Sequence, residues 1–189
     1  KNWKGTTLPL QKVGYLNKVN FISKNIGFAA GMEAEDIIKG PYRTVLFRTS
    51  NNGELWQPVY QRHPAAQITT IACRDEQHIF FGYPKVWENG RTSPDSGYIF
   101  RSSDGGDSWD SVVVLGGVPT EIKFYSPSNG IATGSNGMLF RTSDGGETWS
   151  GERVPDIDMP KRPYWYGHVL SRDGKTLFLL GAGTIAIRR

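Results

Sequence analysis

A chain of 189 residues can bury a sizeable core, and it holds no apolar run of about 18 residues that would span a membrane as a helix. The net charge is +4, but lysine and arginine are interleaved with aspartate and glutamate, so no basic block reads as a nucleic-acid patch. An apolar fraction of 38%, 23 glycines and six tryptophans suit short strands joined by tight turns, an all-β protein of one domain over residues 1–189, and the lone Cys73 leaves no internal disulfide framework.

In chain order, the first repeat unit is predicted as strands at 19–22, 26–31, 45–48 and 55–59. The second has strands at 69–72, 78–82, 98–101 and 108–113, and the third at 121–124, 130–134, 138–141 and 148–149. A fourth unit reads 167–170, 176–181 and 184–188, one strand short. β-Branched and aromatic residues fill these runs, and Gly, Asn, Asp and Ser separate them. Cys73 ends an alternating apolar stretch and reads as a small buried thiol.

Three of the units close on a tryptophan: Phe47 to Trp56, Phe100 to Trp109 and Phe140 to Trp149 are near copies. Trp56 follows Trp3 by 53 residues and Trp109 follows Trp56 by 53; Trp149 follows Trp109 by 40, and 43 residues lead from Trp149 through the C-terminus round to Trp3. Such near-circular spacing predicts a four-bladed β-propeller of four-stranded antiparallel blades, with the N-terminal strand around Trp3 closing the last blade. The alternative is a fragment of a six- or seven-bladed ring, whose signature is a free edge at both ends.

The runs Ser102-x-Asp104-x-Gly106-x-Ser108-Trp109 and Thr142-x-Asp144-x-Gly146-x-Thr148-Trp149 resemble the Asp box of the BNR/Asp-box repeat proteins. The first unit departs from that pattern at Asn51 and Leu55 but keeps Gly53 and Trp56. The resemblance implies a propeller; the family includes sialidases, carbohydrate-binding proteins and photosystem II assembly factors. Independently of the family, an Asp in a tight hairpin accepts backbone N–H bonds, a glycine permits positive φ, and Trp caps the turn. Asn51, Gly53, Trp56, Asp104, Gly106, Trp109, Asp144, Gly146 and Trp149 are therefore expected to be structural.

No catalytic constellation emerges. Arg48, Arg101, Arg141 and Arg188 are expected at one repeated strand position, which favours a per-blade packing role over a carboxylate clamp. His63, His78 and His168 lack metal-ligand spacing, the Asp104 to Asp107 run lacks the ligand series of a calcium loop, and no cofactor or metal is expected. Function is expected in the long non-repeating segments 32–44, 60–67, 84–96 and 151–164, on the face opposite the boxes. Aromatic and charged residues there give the candidate partner-binding set: Tyr42, Arg43, Trp87, Glu88, Arg91, Asp156, Asp158, Arg162, Tyr164 and Trp165. The expected protein is non-catalytic and monomeric until it binds a protein partner, as an inhibitor, immunity or assembly protein. The alternative is a glycan-binding or sialidase-like glycosidase. The resemblance and the absence of an initiating Met point to a periplasmic, secreted or luminal location.

Overall fold

The computed structural model describes residues 5–10, 13–36, 41–87, 90–154, 164–181 and 183–189. Four antiparallel meanders follow one another in the manner of propeller blades. The first sheet is β1 (Val13–Phe21), β2 (Gly27–Ala34), β3 (Arg43–Thr49) and β4 (Gln57–Arg62); the second is β5 (Thr70–Cys73), β6 (Ile79–Val86), β7 (Thr92–Ser102) and β8 (Asp110–Leu115). The third is β9 (Pro119–Phe124), β10 (Gly130–Gly134), β11 (Met138–Thr142) and β12 (Ser150–Arg153). The fourth sheet has three described strands, β13 (Trp165–Leu170), β14 (Leu177–Gly181) and β15 (Thr184–Arg188). The closing strand expected around Trp3 lies outside the described residues.

Successive sheets pack through their inner strands, β1 on β5, β5 on β9 and β9 on β13. Among the described residues β13 makes no comparable packing on β1. Each joint is stitched at one equivalent position: Asn17 Nδ2 donates to the Ile68 carbonyl (2.8 Å), and the Thr69 and Thr120 hydroxyls donate to the carbonyls of Pro119 and Trp165 (2.5 Å each). An inner-strand side chain thus satisfies a backbone acceptor of the next sheet.

Burial follows this order. Strands β6 and β10 are buried on both faces along most of their length because a neighbouring sheet covers each side. Strand β14 alternates buried and exposed, as expected when only one face is covered. Phe28, Phe80 and Ile131 occupy one register position in β2, β6 and β10 and are at most 5% exposed, whereas their counterpart Phe178 is 38% exposed.

Candidate functional site

The three Trp-closed turns share one bonding scheme. The hydroxyls of Thr49, Ser102 and Thr142 accept the N–H of Gly53, Gly106 and Gly146 (3.0, 2.8 and 2.9 Å) and donate to Asn51, Asp104 and Asp144. Those side chains accept the N–H of Leu55, Ser108 and Thr148 in turn. In the second and third turns the carboxylate also accepts the Ser108 or Thr148 hydroxyl, a bond Leu55 cannot make. These bonds, led by the Ser108 and Thr148 hydroxyls, hold the Asp104 and Asp144 carboxyls well below the usual carboxylate range. The indoles of Trp56 and Trp109 donate to the carbonyls of Gly53 and Gly106, while that of Trp149 is buried without a hydrogen-bond partner. The Ser, Thr, Asn and Asp side chains of the three turns thus bond chiefly within their own turn.

Of the repeated arginines, Arg101 acts between sheets and Arg141 within its own. Arg101 reaches Asp110 of its own sheet (3.1 Å) and Glu147 of the next turn (2.6 Å), and Arg141 pairs with Glu152. The expectation that Arg188 shares their position is corrected by the register. Arg48, Arg101 and Arg141 face Phe28, Phe80 and Ile131, but it is Ile187 that faces Phe178. Nine residues separate Phe178 from Ile187 where ten separate Ile131 from Arg141, so Arg188, opposite Leu177, takes the place of Thr142, one position further along the strand.

At the end opposite the boxes, between the first two sheets, arginine and aromatic side chains converge. The Arg62 guanidinium lies over the rings of Tyr83, Tyr98 and Phe100, with its central carbon 5.4, 5.7 and 5.4 Å from their centroids. Arg62 also bonds the Tyr60 hydroxyl, whose pKa burial nonetheless raises. The Tyr83 hydroxyl bonds Thr44 (3.1 Å) and the Pro64 carbonyl (3.0 Å), so the aromatic bed is rigid, and burial raises its pKa as well. Beside it Arg43 faces the buried Glu33 carboxylate at 3.6 Å. The segment 84–96, expected to be a loop, instead extends β6 and β7 into a hairpin, with Val86 opposite Thr92 and a turn closed by Trp87 N–H to the Arg91 carbonyl (2.9 Å). Trp87 stands near its tip, 44% exposed.

Of the expected contact residues, Tyr42, Arg43, Trp87 and Arg91 come from the segments that meet at this end. Tyr164 is exposed at the start of the fourth sheet, its ring 5.1 Å from Tyr166. Glu88, Asp156, Asp158 and Arg162 lie outside the described residues. Trp165 is corrected: it is 1% exposed and packs with Ile131, Leu139, Leu177 and Leu179 as the largest side chain of its core, so it is no contact residue.

Comparison with protein-family models and with curated proteins finds no match. Among solved structures the chain is similar to one described as YCF48 bound to D1 peptide, at 19% identity and a TM-score of 0.58, covering 98% of this chain and 55% of that one. It is also similar to YCF48 from Cyanidioschyzon merolae (15% identity, TM-score 0.51, covering 100% and 73%) and to the Niastella koreensis GH74 enzyme (15%, 0.56, covering 84% and 24%). The likeness is one of fold. The chain spans about half the length of the first of these structures and about a quarter of the GH74 enzyme.

Sequence reasoning missed Arg62, Tyr83 and Tyr98. The segment 60–67 was expected to hold function, but only the pairing of Thr44 with Arg62 and of Tyr83 with Tyr98 shows that they share one place. Among the described residues no group of three or more His, Cys, Asp or Glu stands where it could hold a metal ion, and no helix is long and apolar enough to cross a membrane.

Proposed function

We propose that the protein is a non-catalytic Asp-box propeller that binds a polypeptide partner at the end carrying Arg62, Arg43 and the Trp87 hairpin. The observation that carries this reading is the Arg62 guanidinium set among three aromatic rings, its central carbon 5.4 to 5.7 Å from their centroids. Packing among the rings restrains a fork of N–H donors suited to a carboxylate, and an adjacent exposed indole supplies apolar area of the kind that dominates interface energy. The likeness to a propeller seen with a bound peptide lends support, and the GH74 likeness keeps hydrolysis as the outcome to be excluded.

The test is selection of peptides on the purified chain from a displayed library, followed by affinity measurement. Enriched peptides should bind the wild type and lose at least tenfold in affinity to Arg62→Ala or Trp87→Ala, with both variants folded at the assay temperature. Absence of enrichment, binding indifferent to both substitutions, or turnover of xyloglucan or a fluorogenic sialoside would overturn the reading.

A further inference from the structure

Polar side chains that do not repeat gather at the box end of one joint, between the second and third sheets. In the first and third sheets the turn into the second strand is capped by a serine: the Ser23 and Ser126 hydroxyls accept the N–H of Ile26 and Asn129 (3.2 and 3.0 Å). In the second sheet Asp75 does this, accepting the N–H of His78 at 2.8 Å. A serine suffices for that bond, so the carboxylate has capacity beyond it. Both of its oxygens reach His78 Nδ1 (2.8 and 3.0 Å), and Arg74 Nε donates to it at 3.2 Å. A carboxylate on Nδ1 places the proton of a neutral imidazole there and leaves Nε2 as an acceptor.

His78 lines a cleft of about 240 Å³, with Phe80, Arg101, Ser103, Asp110 and Glu147 among its other walls. Register explains the gathering: His78 and Ser103 stand one step beyond the pair of Ile79 with Ser102, on the face that carries Phe80 and Arg101. Arg101 is braced from both sides, by Asp110 of its own sheet and Glu147 of the next. The serine recurs as Ser50 and Ser143, but the charges around it do not. Where Asp110 stands opposite Arg101, Gln57 stands opposite Arg48 and Ser150 opposite Arg141.

Among the described residues no hydrogen bond joins the Ser103 hydroxyl, Glu147 Oε1 or His78 Nε2 to another group of the chain. Two acceptors and a hydroxyl in one small cleft suit a ligand rich in O–H donors. Asp110 and Glu147 outnumber Arg101, which disfavours an anion. The Phe80 ring and the Trp109 indole supply an apolar wall of the kind that takes the C–H face of a sugar. The volume lies below that of sites for drug-sized ligands, which limits the occupant to a single ring.

We propose that this cleft is a subsite for one neutral monosaccharide unit, hydrogen-bonded by His78 Nε2, Ser103 and Glu147, with Asp75 as the residue that positions the imidazole. The site is separate from the peptide surface at Arg62 and lies at the opposite end of the sheets.

The test is saturation-transfer NMR on the full chain with the methyl glycosides of glucose, galactose, mannose and xylose and with N-acetylglucosamine, and with N-acetylneuraminic acid and putrescine as charged controls. At least one neutral sugar should bind in the millimolar range expected of so small a ligand, and neither control should. Ser103→Ala and Glu147→Gln should each weaken binding about fivefold, the scale of one hydrogen bond. The double variant Asp75→Ser, His78→Asn rewrites the turn in the form the third sheet uses, with Ser126 and Asn129, so it should melt with the wild type and lose the sugar. Asp75→Ser alone should weaken binding and shift the His78 imidazole nitrogen resonances away from a single Nδ1–H tautomer, a change that capping the turn does not require. A wild type that binds none of the neutral sugars, controls that bind as well as they do, or binding that the double variant retains overturns the proposal. None of these results bears on peptide binding at Arg62.

Discussion

At the scale of single residues the boxes show how little freedom a tight turn leaves. Thr142 is nearly buried and serves both the Gly146 N–H and the Asp144 carboxylate. Thr142→Val, which keeps the shape and removes the hydroxyl, should cost about 1–3 kcal/mol in chemical unfolding because a buried donor loses its acceptor. Thr142→Ser should be close to neutral, since Ser102 fills the same role in the second turn. Gly146 has φ +95°, and a Cβ there would run into the Phe80 ring. Gly146→Ala should therefore destabilise by roughly 1–3 kcal/mol, strain and overpacking acting together. Cys73 is a third case: burial pushes its thiol up to about 12, so Ellman's reagent should label it only as fast as the chain opens. Labelling of the native protein at the rate of a free thiol would contradict that. The roles in the turns were legible beforehand because the box is local: each of its bonds spans two to four positions, and Asn51 in the first turn shows that the acceptor matters more than the charge.

At the scale of elements the sequence was read less completely. Strand identities came through, because β-branched and aromatic runs between turn residues carry that information. The hairpin reaching to Trp87 did not, since Thr92-Ser93-Pro94-Asp95-Ser96 reads as a turn cluster and is held extended by distant partners: Val86 opposite Thr92, Leu115 opposite Ser96, Gly116 N–H to the Asp95 carbonyl, and Ser135 and Asn136 side chains to the Pro94 carbonyl. Trp165 was misplaced for a related reason, because an aromatic beside a long loop looks the same whether it closes a core or meets a partner. The contrast is measurable. Trp165→Ala should cost about 3–5 kcal/mol, whereas Trp87→Ala should leave the unfolding midpoint nearly unchanged. Equal costs for the two would undo the assignment of one to core and the other to surface. The candidate site was only half legible: Arg43 and Trp87 were flagged as charged and aromatic loop residues, but the stack of Arg62 on Tyr83, Tyr98 and Phe100 joins two sheets through register, which no local pattern reports.

At the scale of the whole molecule the carboxylates set a pH response. Burial opposes ionisation of Glu121, yet its bonds to His168 and Lys123 prevail and hold it at about 2, below an ordinary 4.5. Asp104 and Asp144 are depressed in the same direction. The unfolded chain therefore binds protons that the folded chain still refuses, so stability is full above about pH 5 and falls as pH drops through the carboxylate range. Melting temperature should decline from pH 5 to pH 2.5, and the decline should be shallower in the Asp104→Asn, Asp144→Asn double variant. An unchanged slope would show that these two carboxyls titrate alike folded and unfolded. The order of the four sheets followed from the spacing of tryptophans; the packing between their ends did not, because a period counts units but carries no angle between them.

The stitch from one inner strand to the next has a combinatorial consequence. Each sheet from the first to the third offers a side-chain donor forward, at Asn17, Thr69 or Thr120, and each from the second to the fourth offers a main-chain carbonyl backward, at Ile68, Pro119 or Trp165. Because the acceptor is backbone, it is present whatever residue stands there. A unit duplicated or deleted in frame therefore finds its neighbours already compatible, and the number of units can drift while each surviving joint keeps its chemistry.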